Sequence, residues 1–116
     1  MAEAALIDLS HLNLYVGGDI GLRDEILTIF EENSARWIAA LDPSAPDDQW
    51  RLAAHTLKGA ARGVGAWTVG EVCADAEKLI GDPQKRADRT DVLVKLRTIL
   101  SETMDELRAL RDRAEA

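Results

Sequence analysis

Cysteine is almost missing from this chain: Cys73 stands alone. No intramolecular disulfide can form, and nothing points to an oxidising compartment. Histidine is nearly as scarce, with His11 and His55 only. Two histidines and one cysteine in unrelated places do not supply the roughly four ligands of a zinc site. Positive charge is in deficit as well. The 21 Asp and Glu outnumber 14 Lys and Arg, for a formal net charge of −7. There is no basic stripe of the kind a nucleic-acid binder carries, and anionic membrane surfaces are disfavoured for the same reason. No apolar run approaches the roughly 20 residues needed to span a bilayer. The N-terminus lacks a basic region followed by an apolar stretch, so it does not read as a signal peptide, and a cytoplasmic location is the expectation. Aromatic residues make up 4% of the chain and β-branched ones are few, which argues against a sheet. No nucleophile–base–orienter set stands out, and no glycine-rich phosphate loop follows a strand.

What is present favours helix. Ala, Leu, Glu, Arg and Asp dominate, with 47% apolar and 30% charged residues, the balance of an ordinary globular helical protein. The 116 residues fit one domain, 1–116, with enough chain to bury a core without metals or staples. A short amphipathic segment, about 8–16, ends at Gly17-Gly18. A second, about 20–41, spaces Leu22, Ile26, Ile29, Phe30, Trp37, Ile38 and Leu41 by three, four and seven, and Asp42-Pro43 stops it. Asn33 falls within that stripe and reads as an edge residue. A third helix is expected from about 46 to 63. Ser44 or Ala45 would be its cap, with Pro46 and two acids in its first turn. Gly63 and Gly65 break it, and a fourth helix runs from about 66 to 80, ended by Gly81-Asp82-Pro83. The last begins near 87–90 and runs to about 112, with Leu93, Leu96, Leu100, Met104, Leu107 and Leu110 as its stripe; Arg113–Ala116 are expected to fray. Short connections favour antiparallel neighbours. The fold class is therefore all-α: an antiparallel up-down four-helix bundle over about 20–112, preceded by a short extra helix.

The third helix carries the chemistry. At about 100° per residue, Trp50, Ala53, Ala54, Leu57, Ala61 and Val64 gather on one side as a core face. His55, Lys58, Gly59 and Arg62 fall on the other, and His55 points roughly 160° away from the core centre. An exposed imidazole can act as a nucleophile and hold a covalent intermediate. Were that intermediate a phosphoryl group, Lys58 and Arg62, three and seven residues on, would supply the cationic donors it needs. Gly59 costs about 1 kcal/mol in an exposed helix interior; the missing side chain would let a second protein approach beside the ring. The residues alone leave another reading open, because His, Lys and Arg at this spacing also make an ordinary solvated face. His11 lies in the N-terminal segment and is expected to have no special role.

The stretch His55-Thr56-Leu57-Lys58-Gly59-Ala60-Ala61 resembles the signature of the histidine-containing phosphotransfer (HPt) domain family: histidine, any residue, an apolar one, Lys-Gly, then two small residues. Downstream, Gly65-Ala66, Val69, Val72-Cys73 and Ala76-Glu77 fall where that family shows Gly-Ala, apolar positions, Cys, and a Glu or Gln. The close match covers about 55–77. The resemblance implies that His55 is phosphorylated through the ring nitrogen distal to the backbone. It implies further that Lys58 contacts the phosphoryl group and that Gly59 leaves room for a docking receiver domain. Glu77, on the next helix, would lie near the imidazole and accept a bond from the ring or from Lys58. Arg62 replaces a typically small residue and Gly63 stands where Asn is frequent, so Arg62 would be a phosphate or partner contact special to a subgroup, and Gly63 would shorten the helix.

On that reading the chain is a phosphocarrier that passes a phosphoryl group between His55 and receiver-domain aspartates, as a monomer without kinase activity or cofactor of its own. The receiver brings the magnesium ion and most of the catalytic groups. Leu14, Val16 and Leu22 are the expected docking contacts. Two rivals remain at this point. One is a helical-bundle adaptor that binds a receiver-like partner without transfer; the other is the dimerisation module of a histidine kinase.

Overall fold

The computed structural model describes residues 5–115, with side chains described to residue 112. Among these residues there are helices and no strand: α1 Leu9–Val16, α2 Ile20–Ala40, α3 Asp47–Gly63, α4 Trp67–Glu77, α5 Pro83–Ala87 and α6 Arg89–Glu115. The four long segments and the short leading one lie where periodicity and breakers place them. Gly17 closes α1 in the left-handed conformation, φ 59°, with its N–H on the Asn13 carbonyl, as helix ends commonly do. The last helix continues to Glu115 rather than ending near 112, so Arg113–Glu115, expected to fray, are helical, and Ala116 lies outside the described residues.

Two further boundaries differ from expectation, and one helix is added. The cap of α3 is Pro46, without a side-chain bond, because Asp42 claims Ser44 first: its Oδ1 accepts from the Ser44 N–H at 2.9 Å and the hydroxyl at 2.7 Å. Helix α4 stops at Glu77 rather than near 80. Beyond it, Asp82 caps α5 by accepting from the Gln84 N–H at 2.8 Å, with Pro83 in the first turn. Five residues are too few to show a period, so that helix has no sequence signal beyond its cap and proline.

Helix α2 packs on α3, α3 on α4, α4 on α6 and α6 back on α2; α1 lies against α2. The expected core face of α3 is buried throughout, as is the whole Leu93–Leu110 stripe of α6. Each fully buried leucine there contributes about 1.5–3 kcal/mol. The α2 stripe is partly corrected. Leu27 is buried, whereas Ile29 is 49% exposed and Leu22 is at the surface. Val16 is buried too, so it belongs to the core and cannot be a docking contact. Asn33 is half-buried.

Two anchors fix how the helices meet. Arg89 is fully buried with its guanidinium over the Trp50 ring, 4.8 Å from the centroid. It donates to the carbonyls of Leu79, Pro43 and Ala45 and, at 2.6 Å, to Asp47. Asp47 also holds Arg86 and the Gly81 N–H. Those bonds, Arg86 first, hold its carboxyl down at about 2. At the opposite end, the Asp8 N–H reaches the Gly65 carbonyl at 2.9 Å. A side chain at Gly65, φ +79°, would stand 2.8 Å from the Asp8 carbonyl oxygen. The Trp67 indole donates to Asp8 at 3.0 Å, and His11 packs edge-on to Trp67 and Tyr15. His11 is thus a packing residue of a well-tied α1. No helix among the described residues is long and apolar enough to cross a membrane.

Candidate functional site

Helix α3 meets α4 through small residues. Ala53, Ala54 and Ala61 of α3 and Val69, Cys73 and Ala76 of α4 all belong to the buried core in which the two helices pack together. Their register is set by Trp50, whose indole N–H donates to the Ala76 carbonyl at 2.7 Å in the buried core. A bond of this kind is worth about 1 kcal/mol net. Its larger effect is geometric: the residue after Ala76 is Glu77, and the bond delivers it opposite the middle of α3.

There His55 stands at the centre of the helix, its side chain 67% exposed. Its Nδ1 lies 2.5 Å from Glu77 Oε1. Lys58, one turn on, donates from Nζ to Glu77 Oε2 at 2.7 Å. The glutamate is 18% exposed and both its oxygens are engaged. Burial pushes its carboxyl up, but the bonds from Lys58 and His55 outweigh this and hold it below the usual carboxylate range. An ionised carboxylate only accepts, so Nδ1 is the donor. Nε2 is then left with a free electron pair, directed away from Glu77.

Gly59 is exposed beside this trio, and a Cβ built on it would meet nothing within 4 Å. Arg62 is exposed two turns beyond His55, about 10 Å along the axis by helical rise. Its aliphatic stem lies across α4 at Gly70, where an added Cβ would come within 3.2 Å of Arg62 Cγ. The structure thus brings His55, Lys58 and Glu77 together. Arg62 shares their face without joining the hydrogen-bonded set, and Gly63 ends the helix. On the N-terminal side of the ring an open hollow is lined by Asp48, Arg51 and Leu52. Sequence reading passed over these three, although Arg51, Leu52 and Asp48 stand four, three and seven residues before His55 and so share its side of the helix. Cys73 is buried near the site; desolvation first, then the Glu77 charge, push its thiol up to about 12 against the pull of Lys58 and Arg62. It is no nucleophile at neutral pH.

An exposed imidazole with one nitrogen occupied by a carboxylate and the other free, flanked by cations and a side-chain gap, suits a covalent exchange with another macromolecule. Comparison with known proteins agrees. The model of the Hpt domain family matches residues 25–114. Among solved structures, the histidine phosphotransferase ShpA from Caulobacter crescentus is similar. It is 35% identical, the match covers 93% of this chain and 98% of that one, and the TM-score is 0.59. No curated protein matches. With 90 of its residues under the family model and a histidine phosphotransferase as a full-length structural relative, the chain belongs to the Hpt domain family, and its role is histidine phosphotransfer in a phosphorelay.

Proposed function

We propose that His55 is the residue that carries the phosphoryl group, on Nε2, between aspartates of receiver domains. The observation that carries this is the Glu77 contact at Nδ1, which leaves Nε2 as the free nucleophile on an exposed ring. An aspartyl phosphate brought in line with Nε2 loses its phosphoryl group to the ring, and the reverse step hands it on. Lys58 would turn from Glu77 to the arriving phosphoryl oxygens, and Arg62, on the same face, would contact the phosphate or the partner. Gly59 leaves the space in which the receiver approaches. Glu77 acts through the ring and through Lys58.

The rest of the reading follows the family. The domain spans 1–116, its long helices run up and down in antiparallel sense, and it works as a cytoplasmic monomer that binds no nucleic acid. It needs no cofactor and does not phosphorylate itself from a nucleotide. The partner receiver, in a response regulator or a hybrid histidine kinase, supplies the magnesium ion and most of the catalysis.

The test is transfer from a panel of phosphorylated receivers to the wild type and to His55→Gln. The expected outcome is acid-labile, base-stable label on the wild type and none on the variant. Label on neither, with both proteins folded and the organism's own receivers included, would favour an adaptor that binds without transfer.

A further inference from the structure

We propose that the seam between α2 and α6, across the bundle from His55, is a binding site for a small aromatic carboxylate that carries a hydrogen-bonding group on the far side of its ring. The site is separate from the phosphotransfer chemistry and does not depend on His55 being the carrier.

Of the packed pairs of long helices, α2 and α6 meet least closely. Between them lies a groove of about 290 Å³, at the small end of ligand pockets, which begin near 300 Å³. His55 and Glu77 stand where α3 meets α4, so the groove opens on the other side. Its floor is apolar, made by Ile38 of α2 with Leu100 and Met104 of α6. Leu100 and Met104 keep 7% and 8% exposure, while Leu96 and Leu107 on the same stripe keep none. The core therefore reaches the surface here.

Two polar features point to the occupant. Ser34 lines the groove and is 1% exposed, yet its hydroxyl has no hydrogen-bond partner among the described residues. A shielded hydroxyl left in that state is costly, and a polar group entering the groove would relieve the cost. The second feature is an unspent cation. At one end Arg108 is held by Glu31 and Asp105, and the other Glu31 oxygen is taken by Arg111. Ile38 and Arg97 lie about two and three turns from that pair along their own helices, and so mark the other end. Arg97 is exposed there and forms no ion pair among the described residues.

A single free guanidinium suits a carboxylate, which its two-pronged fork can grip. A dianionic phosphate would find the second arginine occupied and a glutamate beside it. Ser34 stands one turn before Ile38, about 6 Å along the axis. One aromatic ring bridges that span, from an acid at Arg97 to a hydroxyl at Ser34. Such a ring would lie on Leu100 and beside the Met104 sulfur, which favours aromatic neighbours. It also loses less freedom on binding than a flexible chain of equal length.

The test titrates the isotope-labelled full-length chain with para-hydroxyphenylacetate and follows its backbone amide resonances. Saturable shifts should gather on the groove-lining turns of α2 and α6, with a Kd of about 1 mM or tighter, the scale for so small a ligand. Phenylacetate, which lacks the hydroxyl, should bind about tenfold more weakly. Ser34→Ala should bind the two probes alike, and should melt no lower than wild type because it removes an unsatisfied group. Arg97→Gln should weaken both probes about tenfold. Shifts that never saturate, equal binding of the two probes by wild type, or an R97Q variant that binds as wild type does would each overturn the proposal. So would an S34A variant that melts lower, since its hydroxyl would then be bonded in the free protein. Shifts of the same amides that grow with protein concentration alone would give the groove to a second copy of the chain instead.

Discussion

A Cβ on Gly59 would meet nothing within 4 Å, and the residue lies inside regular helix, so neither packing nor backbone conformation asks for glycine there. Helix propensity argues against it by about 1 kcal/mol. The requirement therefore comes from outside the chain. Gly59→Gln should fold, with melting showing a gain of up to about 1 kcal/mol. Its transfer rate should fall by an order of magnitude or more, about 1.4 kcal/mol of barrier. A variant both stabler and equally fast would remove the steric argument. The exposure of His55 was legible from the angular position of one residue against a clean core face. The Glu77 contact was not: the two residues are on different helices, and only the family resemblance brought them together. Ile29 and Val16 were misplaced for a simpler reason. Helices α1 and α2 carry apolar residues on more than one side, so spacing alone does not say which side turns inward.

Among the elements, the first turn of α3, the α2–α3 loop, the end of α4, and α6 all converge on Arg89. Replacing it by methionine would leave three carbonyls and Asp47 short of a donor in a closed place. Arg89→Met should lose about 3 kcal/mol or more in denaturant unfolding, since each of three shielded carbonyls left without a donor costs about 1–3 kcal/mol. Arg89→Lys should recover only part, since an ammonium cannot reproduce the planar fork or its seat on Trp50. Near-wild-type stability of R89M would mean that the cluster is replaceable. Nothing in the sequence announced this residue, because an arginine near a helix start looks the same whether buried or solvated. The long helices themselves were legible, for their 3.6-residue stripes are long and their ends carry Gly or Pro. The α3 cap was not, because Asp42 and the helix compete for the same serine, and sequence does not weigh one hydrogen bond against another.

The whole molecule extends 49 × 30 × 20 Å, drawn out by α6, whose 27 residues span about 40 Å. On it, Leu14 is 81% exposed, and Leu22, Leu52 and Tyr15 are also at the surface, so Leu14 and Leu22 stay available for docking where Val16 does not. Leu14→Asp and Leu22→Asp should each raise the receiver concentration needed for half-maximal transfer several-fold and leave the maximal rate nearly unchanged, as expected when binding common to ground and transition states is lost. Unchanged kinetics in both would place the docking face elsewhere. The His55 ring itself sits beside an open hollow, on the outward face of α3. Such a ring admits visitors from a wide range of directions yet can be covered by only one of them at a time. With His55 as the proposed carrier, every receiver able to dock would queue for the same single berth, and the traffic each one draws would depend on how often it arrives and how long it stays.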